Sequence, residues 1–391
     1  MKESYDVIVV GLQLAGAPIL WQLAKRGLKV IGFDRYIPPH NFGSSHGDSR
    51  IHRHAIGEGD FYTEYALRST ELIKELEAET GLNIFTTTGG LIMVSDNDNS
   101  VMHGNKDFLG ETIRVAEKYK AKIPGWEILD TCEIQKRFPQ FSLVGDEKGY
   151  YEPTAGFLRP ENAIISELRM AKHHGASIHA GEEVVNIIAS TKGVKVKTTK
   201  QNYHAGKVVI SAGSWVSRFF LTELEDLFEP HRQVVYYFDI LSNFGAYLPG
   251  RFPIFIWQRD NKFVYGFPAI DGPTKGLKMA SETVCPTDPD MMRRDVSGRE
   301  VANFYNSQIK SYFPDFSKCC LKAIPCKYTD TLDRHFIIDY YPEKQNVIVI
   351  SADSGHGAKH SMAVGETAAE LVIDGRTTLD ISPFSFKRFK I

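Results

Sequence analysis

The chain has 391 residues, 42% of them hydrophobic, so it is long for one domain and can bury a sizeable core. A formal net charge of −2 at pH 7 gives no electrostatic case for nucleic acid or an anionic membrane, and no apolar run reaches the length of a membrane span. The five cysteines, an odd number with no CxxC pair, argue against a disulfide framework and a thiolate zinc site.

The N-terminus, MKESYDVIVVG, enters a strand directly and lacks the layout of a secretory signal, so a cytoplasmic protein is expected. Residues 5–11 are apolar and β-branched and read as a buried strand. Residues 16–27 read as a helix ended by Gly27, and 28–34 as a strand ending in Asp34. A strong helical pattern covers 61–81 and breaks at Gly81; FTTTGGLIMVS (85–95) reads as a hairpin. Residues 160–175 are helical, 177–212 hold several strands closing on KVVISAGSW, and 229–285 are β-rich. A helix is expected at 296–312, and NVIVISADSG leads into another at about 358–374, stopped by Gly375.

The α/β pattern of the N-terminus thus returns near 205–215 and at 345–375, with β-rich stretches between. The expected class is α/β: a Rossmann-like dinucleotide domain built from separated segments, plus a mixed β-sheet domain inserted twice. The expected limits are 1–84, 151–222 and 322–391 for the first domain, and 85–150 and 223–321 for the second.

The opening turn, GLQLAG (11–16), is a modified dinucleotide fingerprint. Gly11 supplies the tight turn and Gly16 the close packing of helix on strand. Gln13 stands where a glycine lets backbone approach a pyrophosphate, and it carries a preference against positive φ. A helix N-terminus still attracts phosphate there, and Asp34 is placed to accept from ribose hydroxyls. The turn alone leaves a ligand-free unit equally open.

Further segments carry a resemblance. PPHNFGSSHGDSRIHRHAIGEGDFY (38–62), YGFPAIDGPTKGLKMA (265–280), IPCKYTDTLDRHFIID (324–339), SGHGAKHSMAVGE (354–366) and LDISPFSFKR (379–388) together resemble the monomeric sarcosine oxidase and N-methyltryptophan oxidase family over essentially the whole chain. The resemblance implies FAD, a secondary or N-methyl amino acid as substrate, an imine that hydrolyses to a carbonyl and a primary amine, and oxygen reduced to hydrogen peroxide. It implies a monomer acting on small molecules, without nucleic acid, membrane or metal partners.

The resemblance assigns roles residue by residue. Cys326 matches the cysteine joined to flavin by a thioether, and Lys278 the lysine that promotes reaction with oxygen. Arg50 lies against the flavin, with His46 beside it. Arg53 and Lys359 match the partners of the substrate carboxylate, whose shape suits a guanidinium fork, and Tyr265 lines the pocket. Gly355, His356 and Gly357 bring backbone and a helix N-terminus to the ring, and Ser44 and Val184 complete the cofactor set. Without the resemblance, the charged residues would be taken as solvated surface and Cys326 as a buried thiol. His52/His54 and His356/His360 have metal-ligand spacing, but no carboxylate or thiolate completes either set.

Two positions depart from the family: Gln13, and Glu282, which stands where sarcosine-type enzymes carry histidine. Glu282 would repel a simple amino-acid carboxylate or pair with an extra positive group on a larger substrate, which makes sarcosine itself doubtful. A flavin dehydrogenase with a protein electron acceptor, and a degenerate flavoprotein serving as a binding module, are the alternatives.

Overall fold

The computed structural model describes residues 4–96, 98–220 and 222–389. Two eight-stranded sheets and a small three-stranded sheet organise them. The first sheet runs, from one edge, Val184–Ser190, Gly193–Thr198, Asn202–Ile210, Ser4–Val10, Val30–Asp34 and Ser177–Ala180. Lys344–Ser351 also pairs with Asn202–Ile210, and Ile337–Tyr341 with Lys344–Ser351. The pairings of Ser4–Val10 with both its neighbours are parallel, as is that of Asn202–Ile210 with Lys344–Ser351.

A parallel strand covered on both faces needs apolar residues at every position. Val7 and Val9 pack against Leu20 and Trp21 of the helix Gly16–Lys25, Ile164 of the helix Pro160–His173 and Val364 of the helix Ser361–Asp374. Ile8 and Val10 face the opposite way, onto Val208, Ile210, Leu227 and Phe228. That double burial is why VIVV (7–10) reads as an unbroken apolar run. The first helix ends at Lys25, and the predicted helix at 61–81 is Thr63–Thr80, closed by Gly81 at φ 71°. Gly375, at φ 67°, closes the last helix in the same left-handed way.

The second sheet runs Phe316–Thr331, Phe228–Ile240, Leu277–Ala280, Lys262–Gly266, Ile254–Arg259, Gly90–Val94, Lys148–Glu152 and Glu127–Asp130. Side chains alternate across it. Phe255, Trp257, Val264, Leu277 and Met279 enter an aromatic core with Phe141, Phe304 and Phe313. Their neighbours Ile256, Phe263, Tyr265 and Lys278 face the other side, into a cavity.

Three expectations are corrected. Residues 85–95 are not a hairpin: Phe85–Thr87 pairs with Gly156–Leu158 in the small sheet, while Gly90–Val94 lies in the second sheet. The glycine pair serves a crossing between sheets, with Thr88 and Gly89 N–H both donating to the Ala155 carbonyl and Gly89 at φ 74°. The expected boundary between 321 and 322 falls inside one strand, Phe316–Thr331, paired with Phe228–Ile240 from Thr331 to Phe316. The helix expected at 296–312 is α only over Gly298–Phe304 and widens into a π turn over Tyr305–Ile309.

Candidate functional site

One cavity is lined by both sheets, and it gathers residues far apart in the chain. Gly11, Gln13 and Asp34 come from the opening unit; Arg50 and Arg53 follow the second strand; Tyr265, Lys278 and Cys326 come from the second sheet, and Glu282 from the loop after its strand Leu277–Ala280; Gly355, His356, Gly357 and Lys359 precede the last helix. Ser44 and Val184 also line it, whereas His46 and Gly16 do not.

The turn is built by close approach. Gly11 has φ 91°, and a Cβ there would lie 2.4 Å from the Ser211 carbonyl oxygen. A Cβ on Gly16 would lie 1.7 Å from the Gly11 carbonyl oxygen, so Gly16 works from behind the wall by letting the helix start against the strand. Gly16→Ala is expected to push helix and strand apart at a cost of about 1–3 kcal/mol. A lowered thermal midpoint together with a lowered flavin content of the purified variant checks this.

Gln13 is not among the residues with positive φ, so its side chain costs no backbone strain, contrary to the concern raised by the sequence. Both its amide nitrogen and its amide oxygen are buried without a partner. Asp34 accepts from Leu12 N–H at 2.9 Å through one oxygen, and from Tyr36 N–H (2.9 Å) and His40 Nε2 (3.1 Å) through the other. A carboxylate has about four acceptor sites, so capacity remains for a hydroxyl. Nearby, Asp290 accepts from Arg35 (2.9 Å) and Trp215 Nε1 (2.8 Å) and pairs with Arg218.

Lys278 is 3% exposed. Strand alternation drives it inward between Leu277 and Met279, and Nζ donates to the carbonyls of Gly47 and Ser49 at 2.6 Å each and to Ser49 Oγ at 3.3 Å. Three acceptors match an ammonium's three protons, while burial and the Arg50 guanidinium push its pKa well down. Arg50 donates to the Ser49 carbonyl (2.8 Å) and the Ser44 carbonyl (2.5 Å). His46 is buried behind them; burial, Arg50 and Lys278 push it down to about 3, so it is neutral.

Of the five cysteines, Cys326 alone is buried. Burial raises its thiol pKa, and Arg50 and Lys278 oppose the rise. Ser44 Oγ donates to Asp353 at 2.8 Å, and that carboxyl, pushed up to about 6 by burial, also accepts from Thr329 N–H. Cβ atoms on Gly355 and Gly357 would lie 2.8 Å from the Tyr328 ring and 1.8 Å from the Ala352 carbonyl oxygen, so neither position admits a side chain.

Arg53 and Lys359 converge, but on a residue the sequence did not single out. Glu58 receives Arg53 Nη2 at 2.5 Å and Lys359 Nζ at 3.1 Å, with all three side chains at most 5% exposed. Burial acts to raise the Glu58 pKa, but the two cations hold it well below the ordinary range. The available signal was an acid five residues after Arg53, just past the buried Ala55 and Ile56. Tyr265 and Tyr328 hydroxyls lie 3.1 Å apart on the adjoining wall, and burial pushes the Tyr265 phenol up to about 12. Glu282 enters the cavity, 8% exposed, with Arg334 Nη1 at 3.2 Å. His52 and His54 share Thr70 Oγ1, and His54 pairs with Glu152 at 2.7 Å.

Residues 6–371 match the family model described as FAD dependent oxidoreductase. The chain is 37% identical over 393 residues to monomeric sarcosine oxidase of Streptomyces avermitilis, covering 99% of this chain and 98% of that one. It is 32% identical to N-methyl-L-tryptophan oxidase of Salmonella dublin, with 99% of each covered. Among solved structures, a Tyr258Phe mutant of NikD, an amino acid oxidase of nikkomycin biosynthesis, superposes with a TM-score of 0.82 at 22% identity, over 98% of this chain and 97% of the other. L-proline dehydrogenase from P. horikoshii gives 0.79 at 22% identity, over 99% of each chain.

Proposed function

The chain belongs to the FAD-dependent oxidoreductase family, and we propose that it is an oxidase of secondary or N-methyl amino acids that passes electrons to oxygen. The observation that carries this reading is the convergence of Lys278, Cys326, Arg53 and Lys359 on the cavity that also holds the glycine turn. The residues fit FAD: Gly11 and Gly16 leave room for the turn, the Gln13 amide has unmet hydrogen-bonding capacity, and Gly355 and Gly357 keep side chains away from the ring. Bound FAD supplies a two-electron acceptor that oxygen can recharge.

The protein's own residues bind, orient and neutralise. Arg53 and Lys359 present two cations against one carboxylate, Glu58, and so retain one positive charge for a substrate carboxylate. Arg50 and Lys278 add positive potential deeper in the cavity. Such a wall disfavours a protonated amine and keeps the substrate's nitrogen lone pair free, so no side chain need serve as base. Oxidation then removes two electrons and two protons in all, a hydride equivalent from the C–H adjacent to the amine and the N–H proton from the resulting iminium, and water hydrolyses the imine. Lys278 stabilises the negative charge that develops on oxygen as it accepts electrons, giving hydrogen peroxide. Cys326 would hold the flavin through a thioether, a C–S bond in place of one S–H and one C–H, and the two electrons and two protons released would go to oxygen.

The test is anaerobic mixing of the purified protein with a panel of N-methyl amino acids, followed by admission of oxygen. Bleaching of the flavin absorbance, then peroxide in proportion to substrate consumed, supports the proposal. A panel in which no amine bleaches the flavin sinks it.

Carboxylate binding should also depend on pH. Burial pushes Lys359 down to about 8. Its cation is present below that value and lost above it. The affinity for propionate, a carboxylate without an amine, is therefore expected to fall by up to about tenfold per unit above pH 8, beyond the smaller loss near pH 7 as Glu282 ionises in the same cavity. Titration of the flavin absorbance with propionate at several pH values measures this; a flat response to pH 9.5 would remove Lys359 from the carboxylate site.

A further inference from the structure

The cavity has a second polar corner that the amine chemistry does not use. Glu282 and His103 both line it. His103 Nδ1 lies 3.9 Å from Glu282 Oε2 and has no hydrogen-bond partner, although the His103 side chain is only 8% exposed. The ring is neutral, because burial pushes it down to about 4. The corner therefore offers two desolvated groups able to accept a hydrogen bond.

Charge divides unevenly between the two ends of the pocket. Around the proposed carboxylate site, two cations face one carboxylate. Around Glu282 the ratio is reversed: Glu282 and Asp330 share one guanidinium, that of Arg334, at 3.2 and 3.5 Å. Asp330 Oδ1 is also unpartnered. Burial holds both carboxyls above their ordinary range, Glu282 at about 7, as expected where the available cation does not satisfy them. The two ends are close. The His103 ring centroid is 5.3 Å from that of His356, whose carbonyl accepts from Lys359 Nζ at 3.0 Å.

We infer that the corner formed by Glu282 and His103 receives an ammonium or guanidinium group carried by the substrate, so that the preferred substrate is a basic N-alkyl amino acid. This rests on the amino-acid oxidase reading and extends it to a substrate class. The carboxylate meets Arg53 and Lys359, the amine lies between, and the distal cation supplies a second partner to Glu282 beside Arg334 and the hydrogen-bond partner that His103 Nδ1 lacks. Ammonium and guanidinium share this chemistry, and Arg334 occupies only one side of Glu282.

The holoenzyme is assayed with racemic Nα-methyl-lysine, Nα-methyl-arginine and the uncharged Nα-methyl-norleucine of similar length. One charge-assisted hydrogen bond predicts kcat/KM about tenfold or more higher for a basic substrate than for norleucine. Which basic substrate leads distinguishes ammonium from guanidinium. Glu282→Gln is expected to bring the ratio of basic to neutral substrate close to one. Equal or better use of norleucine by the wild type, or a basic preference that survives Glu282→Gln, overturns the inference while leaving amine oxidation standing. Failure of all three compounds, and of the wider N-methyl panel, to bleach the flavin overturns both.

Discussion

Lys278→Met is expected to slow reoxidation of the reduced protein by oxygen about 10²–10³-fold, the cost of removing one preorganised charge from a developing anion. Substrate reduction should change much less, because oxygen gains charge during its step whereas the amine loses electrons. Methionine fills much of the same apolar stem space between Leu277 and Met279, over the Phe267 ring that lies 4.7 Å from Nζ. The Gly47 and Ser49 carbonyls would lose the Lys278 donor, but Gly47 keeps its link to the Tyr237 hydroxyl at 2.9 Å and Ser49 its link to the Arg50 guanidinium at 2.8 Å. Stopped-flow measurement of the two half-reactions separates the effects. Equal slowing of both would mean that Lys278 only holds the Gly47–Ser49 segment, and the Tyr237 contact would then be insufficient to keep that segment in place.

What the sequence disclosed follows from how local each signal was. The opening unit was legible because a strand buried on both faces needs an unbroken apolar run, and Gly11 and Gly16 occupy positions where a Cβ collides with backbone. Lys278 was legible through the family resemblance, since a lysine taken alone reads as solvated surface; in the structure it lies between the buried Leu277 and Met279. The hairpin at 85–95 misled because two glycines between apolar runs signal a reversal and a crossing between sheets equally well; the partner strands, Gly156–Leu158 and Ile254–Arg259, lie more than sixty residues on. The 321/322 boundary failed because a sixteen-residue strand in the second sheet carries Cys326 to the cavity shared with the first. Glu58 and His103 were missed because both lie outside helix and strand, where periodicity says nothing about direction. Their surroundings depend on Lys359 and Glu282, 301 and 179 residues away in sequence. Gln13 was noticed, but its consequence was misjudged: position 13 adopts an ordinary φ, so the side chain costs nothing and adds an unmet amide.

Cys326→Ala is expected to move the flavin from the acid-precipitated, washed pellet, where the wild-type protein should retain it, into the supernatant. Cys326 is the buried cysteine of the five and the one on the cavity wall; Cys320, six residues earlier on the same strand, is half-buried and lies elsewhere. Cys320→Ala should therefore leave the flavin with the pellet. Position 326 also suits formation of the bond. A thiolate is the reactive form, and although burial makes it costly, Arg50 and Lys278 both favour it. Removing the proposed tether would turn a permanent association into an equilibrium that the turn, Asp34 and the Gln13 amide would have to hold. Prolonged dialysis of Cys326→Ala then measures what those groups contribute. Retention through dialysis with loss on acid precipitation would mean that Gln13 replaces the missing glycine adequately. Loss on dialysis would mean that this chain depends on its thioether to keep a cofactor its altered turn holds weakly. Flavin still bound to the pellet of Cys326→Ala would place the attachment at another residue and remove Cys326 from that role.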